Sequence, residues 1–236
     1  MSLINPKSGT LFACFSPPVM LTTFAIEIGY LIYVIWRYKM NALARLSAAL
    51  LFFLAMFQIS EYFVCGGNHD ANLWSRIGFV SITLLPPIGI HLIHTLAGKS
   101  WNNITGAAYG MAAVWIGVFA FFENAFAGHQ CTGNYVIFQV KPGLGGLYFV
   151  YYYLWLAVGS WLAYQYAKTV KKKDQKSLYM LAVGYMILLV PTTTVNLLKP
   201  ETQEGLASIM CGFAVLLATI VVFGILPKSG TKRIVK

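Results

Sequence analysis

Leu206 to Leu226 reads LASIMCGFAVLLATIVVFGIL, twenty-one residues without a single charge. At about 1.5 Å per residue, a helix of that length crosses a hydrocarbon core of about 30 Å. In lipid the backbone amides and carbonyls must pair within the segment, so the run is predicted to be a transmembrane helix.

Six more runs of similar length precede it, at Pro18 to Trp36, Ala42 to Val64, Leu73 to Ala97, Thr105 to Ala127, Gly146 to Ala167 and Ser177 to Leu198. The chain of 236 residues is 58% hydrophobic and only 10% charged, a balance that suits a multi-pass membrane protein and not a water-soluble domain. The fold class expected is all-α, a seven-transmembrane helix bundle forming one membrane domain over residues 1–236, with a short basic tail at 227–236. Met1 to Ser16 carries only Lys7 as a charge and leads straight into a full-length run, so no cleavable signal peptide is expected.

The loops set the orientation. With the N-terminus outside, thirteen of the 17 lysines and arginines fall inside: Arg37, Lys39 and Arg45, then Lys99, then Lys168 to Lys176, then the tail. Lys7, Arg76, Lys141 and Lys199 fall outside. Inner loops of a plasma-membrane protein carry the basic excess, so the C-terminus is expected in the cytoplasm. The net charge of +10 then belongs to anionic lipid headgroups, the lipid bilayer being the first partner, and nucleic acid is excluded.

All four cysteines lie toward the outer side: Cys14, Cys65, Cys131 and Cys211. A disulfide between Cys65 and Cys131 would tie two outer loops where such bonds persist, and free inert thiols are the other reading. No C-x-x-C pair is present.

Polar groups inside a membrane are costly to keep and mark candidate sites. Glu27 lies in mid-run, and with His91 it would form a proton or ion path in a transporter or channel. Glu61 and Arg76 flank one outer loop and could form an ion pair or face a ligand, while Glu123 is close enough to the interface to be solvated. His91 and His94 share a helix face, but two histidines and one acid make an incomplete ligand set, so no metal is expected. His94 reads as a packing or snorkelling residue. His69 and His129 lie in outer loops. The last run holds no lysine for a Schiff base, which excludes retinal photochemistry, and no cofactor or clustered catalytic set is expected.

The outer half is richer. The fifth run opens with Gly143, Gly145 and Gly146 and carries Tyr148, Phe149, Tyr151, Tyr152, Tyr153 and Trp155. The sixth carries Pro191, Thr192, Thr193, Thr194 and Asn196. Proline frees backbone groups that hydroxyls or water then satisfy, and such breaks border cavities. Tyr148, Tyr152, Thr192, Thr193 and Asn196, with Glu61 and Arg76, are therefore the candidate binding residues for a small hydrophobic or amphipathic ligand. An aromatic belt beside a simple kink is the plainer alternative.

Leu73-Trp74-Ser75-Arg76-Ile77-Gly78, running on to Leu84-Leu85-Pro86-Pro87-Ile88-Gly89-Ile90-His91, resembles a third-helix signature. It is similar to that of the seven-helix N-terminal sensor region of bacterial histidine kinases: an aromatic, a nearby arginine, an apolar stretch, then a Pro-Pro step. The resemblance covers about 20 residues and makes Trp74, Arg76, Pro86 and Pro87 family positions, with no agreed ligand attached to them. This chain ends just after the seventh run, with no phosphoacceptor helix, ATP-binding domain or other output module. The expected function is a stand-alone sensor or receptor-like module that binds a ligand in its outer half and signals to a separate protein. A transporter or channel, an integral-membrane enzyme acting on lipids, and a structural subunit of a larger complex are the alternatives.

Overall fold

Three helices begin by the same device. Asn41, Asp70 and Asn102 stand just before long apolar runs, and each side-chain oxygen accepts from amides two or three residues on: Ala44, then Asn72 and Leu73, then Thr105, at 3.0–3.1 Å. These short polar side chains satisfy amides that the first helical turn leaves without partners.

The computed structural model describes residues 17–66, 70–132, 136–199 and 205–229. Cys14, His69, Lys7 and the basic tail beyond 229 lie outside the described residues. In chain order come α1 (Pro17–Arg37), α2 (Ala42–Cys65), α3 (Ala71–Thr83), α4 (Leu85–Leu96), α5 (Asn103–Phe121), β1 (Phe126–Cys131), β2 (Val136–Val140), α6 (Leu144–Ala167), α7 (Lys172–Leu198) and α8 (Leu206–Thr219). A π-helical segment, Ile220–Ile225, carries α8 into the short α9 (Leu226–Ser229).

The protein is mostly helical. Among the described residues six helices are long and apolar enough to cross a membrane: 18–37, 42–65, 71–96, 103–121, 174–198 and 206–228. α6 has the length, at 24 residues, but its six tyrosines and two tryptophans lower its mean hydropathy and keep it out of that set.

Two expectations need correction. The fourth run stops being helical at Phe121, not Ala127, and the chain then forms an antiparallel hairpin of β1 and β2, so the fold is not purely α. The reason lies in the residues: Val136-Ile137-Phe138-Gln139-Val140 is rich in strand formers, and Val136 and Phe138 are buried against the bundle. Phe138 packs on Phe57 of α2 and Phe79 of α3, and the Val136 amide donates to Ser208 Oγ of α8 at 3.2 Å. The second correction is that α7 begins at Lys172, five residues before the apolar run, and passes through Pro191 without a break.

Close packing around Tyr185 depends on two glycines. Tyr185 of α7 is wedged between α4 and α6, and a Cβ at Gly89 would collide with its hydroxyl, while one at Gly159 would come within 3.2 Å of its ring. Gly89→Ala is disfavoured because the neighbour is a buried phenol held on both sides.

Candidate functional site

Pro86 and Pro87 lack the amides that would continue α3, and the helix breaks at Leu84 between α3 and α4. Pro87 deprives the Thr83 carbonyl of its usual i+4 donor. The Tyr151 hydroxyl of α6 replaces it, donating to Thr83 O at 2.8 Å, with Tyr151 itself buried. The Thr83 hydroxyl donates to Phe79 O at 2.6 Å and lies 3.0 Å from the Tyr148 hydroxyl, also on α6. Two tyrosines one turn apart thus hold the helix break from the side. Tyr151→Phe strands the Thr83 carbonyl in a buried, apolar setting. The variant is expected to lose about 1–3 kcal/mol in denaturant-driven unfolding in detergent, and an unchanged midpoint would show that the carbonyl has another donor.

Tyr148 faces two ways. Its ring packs among Phe79, Trp115 and Phe119, and the residue also lines a cavity of about 630 Å³ at the disulfide-bearing end of the bundle. The cavity is walled by β2, by the Lys141–Gly143 loop, by the starts of α6 and α8 and by the end of α7. Its floor includes Tyr152, Met210 and Cys211, which also border a smaller apolar gap deeper in the bundle. Cys211 is a buried free thiol. Asn196 contributes from α7, its Oδ1 buried and without a hydrogen-bond partner.

Of the residues expected to bind ligand, the structure brings Tyr148, Tyr152 and Asn196 together on this wall. Thr192, Thr193, Glu61 and Arg76 are not on it. Thr192 is buried and its hydroxyl donates to Leu188 O at 2.6 Å, closing onto its own helix as threonines in membrane helices do. The wall residues missed include those of β2, Lys141 and Pro142, which come near α6 only once the hairpin has formed, and Leu206, Ala207 and Met210 of α8.

The Glu61–Arg76 ion pair does not form. Every guanidinium N–H of Arg76 is directed elsewhere: Nε to Asn72 Oδ1 at 3.1 Å, Nη1 to the carbonyls of Phe119 and Ala120 at 3.1 and 3.2 Å, and Nη2 to those of Phe122 and Glu123 at 3.0 and 2.8 Å. Arg76 therefore closes the C-terminus of α5, where carbonyls lack donors and a cation meets the negative end of the helix dipole. Trp74 of the same motif stacks on Phe63, their ring centroids 4.3 Å apart. The four signature positions Trp74, Arg76, Pro86 and Pro87 thus all have structural work within the bundle.

Glu61 and Glu27 are both fully buried, and none of their four carboxyl oxygens has a hydrogen-bond partner. The two carboxyls and the Cys211 thiol lie within electrostatic range of one another. The Ser208 hydroxyl is near Glu61, but not in hydrogen-bonding geometry. His91 of α4 belongs elsewhere, half-buried beside Tyr109 of α5 and edge-on to Trp101 in the loop between the two helices. Glu27 thus lies in electrostatic range of Glu61, while His91, its expected partner, sits against Tyr109 and Trp101.

His94 is buried and structural. Its Nδ1 faces Ile90 O at 2.9 Å and so must carry the proton, leaving Nε2 to accept from Asn102 Nδ2 at 2.9 Å and the Tyr166 hydroxyl at 3.3 Å. The ring joins α4, the cap of α5 and α6 at the basic end. Among the described residues no group of three or more histidine, cysteine or acidic side chains is placed to hold a metal ion. Cys65 and Cys131 are joined as a disulfide, linking the end of α2 to β1.

Compared with known proteins, the chain matches no family model and no curated sequence.

Proposed function

We propose that the chain is a seven-helix membrane sensor or receptor module with its N-terminus outside and its C-terminus in the cytoplasm. It takes a small hydrophobic or amphipathic ligand into the cavity at the disulfide end and passes the change to a separate signalling protein at the basic end. α6 supplies the seventh span in this reading, because it leads from the hairpin at one end of the bundle to Lys168 at the other. The disulfide supports the orientation, since such bonds persist in oxidising compartments, and the excess of lysine and arginine at the opposite end agrees with it. The resemblance of the third run to histidine-kinase sensor regions fits the same reading.

One observation carries the proposal: Tyr148 is at once a wall of the cavity and a hydroxyl contact of Thr83, at the break between α3 and α4. A ligand that moves Tyr148 acts on a discontinuous helix spanning the bundle. It can bias that helix only by binding one arrangement more tightly than the other.

The test is thermal unfolding of the purified protein in lipid nanodiscs against a panel of small apolar and amphipathic compounds. At least one class is expected to raise the midpoint of the wild type by several degrees. Filling the cavity, by Ala207→Phe or separately by Gly146→Phe, is expected to remove that response. A flat response of the wild type across the panel defeats the reading.

Proton- or cation-coupled transport is the second reading, favoured by the unpartnered, buried carboxyls of Glu27 and Glu61. Proton flux into proteoliposomes that vanishes in Glu27→Gln selects it, and equal flux in the two proteins discards it.

A further inference from the structure

At the basic end, the perimeter of the bundle carries a groove of about 440 Å³ between α7 and the π-helical segment Ile220–Ile225. It is bordered by Gln175, Lys176, Tyr179, Met180, Val183 and Ile220. Lys176, Met180 and Val183 lie four and then three residues apart, so one face of α7 forms the long wall, which runs about 10 Å from the lysine to the valine. Past the lysine the lining is apolar and open to the surroundings, Val183 being 55% exposed.

Ammonium groups gather at one end of this groove. Lys176 is exposed on the wall itself. Lys228, half-buried in α9, reaches the opposite side of the same methionine, its Nζ 3.3 Å from Met180 Sδ. A thioether is a weak acceptor, and it is the one hydrogen-bond partner this ammonium has among the described residues. The Lys168 ammonium at the end of α6 stands 4.0 Å from the centre of the Tyr164 ring, and that ring lies 6.1 Å from the ring of Tyr179 on the groove wall. Three elements thus bring a lysine to one edge. The imbalance holds over the full sequence: the segments that lie at this end or lead on from it, 37–45, 97–102, 168–176 and 228–236, hold thirteen lysines and arginines and one acid, Asp174.

A second copy of the chain docking here would set lysines against lysines. The bilayer instead offers a molecule with both parts, an acidic headgroup at the depth of the ammonium groups and an apolar chain beneath it. From this juxtaposition we infer that the groove binds one anionic glycerophospholipid. Its phosphate sits between Lys176 and Lys228, and an acyl chain lies along Met180, Val183 and Ile220. The inference rests on α7 and α8 being membrane spans and makes no use of the cavity at the disulfide end. Phosphatidylcholine offers the same phosphate but brings a quaternary ammonium to a pair of lysines, so it binds less well.

Phosphatidylglycerol and phosphatidylcholine with identical acyl chains, titrated onto the full chain in a neutral detergent and counted by native mass spectrometry, test it. The first phosphatidylglycerol is expected to bind about tenfold more tightly than phosphatidylcholine. Lys176→Gln combined with Lys228→Gln is expected to bring the two lipids to within about twofold of each other. Val183→Trp keeps every charge, fills the groove, and is expected to weaken both lipids. As a control, Lys39→Gln with Arg45→Gln removes the same charge from the ends of α1 and α2 and is expected to leave the preference unchanged. Equal binding of the two lipids to the wild type overturns the inference. So does an equal loss in the two double variants, which would mean diffuse attraction to the whole basic end. Unchanged phosphatidylglycerol binding by Val183→Trp overturns it too, because the chain would then lie elsewhere.

Discussion

Replacing both Cys65 and Cys131 by serine is expected to be among the most destabilising changes available outside the helices, at about 4 kcal/mol. The bond closes a loop of 66 residues that holds α3, α4 and α5. In the chain-entropy account, a cross-link over a loop of that size restricts the unfolded ensemble by about 4 kcal/mol at 25 °C. Folded-state geometry adds to the effect. The bond ties β1 to the end of α2, and the hairpin in turn seats Phe138 against Phe57 and Phe79 and forms one wall of the cavity. The double variant should therefore unfold at lower denaturant and also bind cavity ligands more weakly. The single variants should be no more stable than the double one, because each leaves an unpaired thiol with nothing to bond. Equilibrium unfolding with and without reductant checks the size of the effect. Wild type that loses less than about 1 kcal/mol on reduction would show that the hairpin is held by packing alone.

The apolar runs were legible because burying some twenty residues in lipid leaves the backbone only one way to satisfy itself, and the helices follow them closely from α1 to α8. What length and hydropathy cannot mark is where a helix stops when its stop signal is distant. Phe121, Phe122 and Ala125 continue the apolar character of the fourth run, yet α5 ends at Phe121 because Arg76, 43 to 47 positions earlier in sequence, takes its terminal carbonyls. A hairpin signal was present: Gly133-Asn134 lies between Phe126–Cys131 and Val136–Val140.

The same division holds at the site. Tyr148 and Tyr152 could be placed together because residues four apart share a helix face, and Asn196 because it lies at matching depth on the next helix. Thr192 could not be told from a lining residue, since a hydroxyl that bonds its own helix looks the same in sequence as one that faces a ligand. Lys141 gains its place only with the hairpin, which sets the loop between β2 and α6 on the cavity rim. That Glu27 comes within electrostatic range of Glu61 follows from the packing of α1 on α2, which no spacing along the chain encodes.

Arg76→Met is expected to cost about 2–4 kcal/mol, and the pattern of conservative variants identifies why. The side chain makes four bonds to carbonyls at the end of α5, two of them partly buried, and one to Asn72. Hydrogen bonds from a charged donor contribute about 1.5–3 kcal/mol each where they are buried, but exposure and water replacement reduce the two outer ones, so the sum is well below four full bonds. Lysine keeps the charge that favours a helix C-terminus and loses the planar fork that reaches four carbonyls together, so Arg76→Lys should recover less than half of the loss. An ion pair with Glu61 would behave differently: Glu61→Gln would then destabilise about as much as Arg76→Met, and the double variant would show strong coupling. Since Arg76 is fully engaged at α5, the two changes should instead add within about 0.5 kcal/mol in a double-mutant cycle. Coupling well above that value would return Arg76 to Glu61 and withdraw its role as the cap of α5. Additivity, with Arg76→Lys intermediate between the wild type and Arg76→Met, would establish that this motif arginine acts by ending a helix.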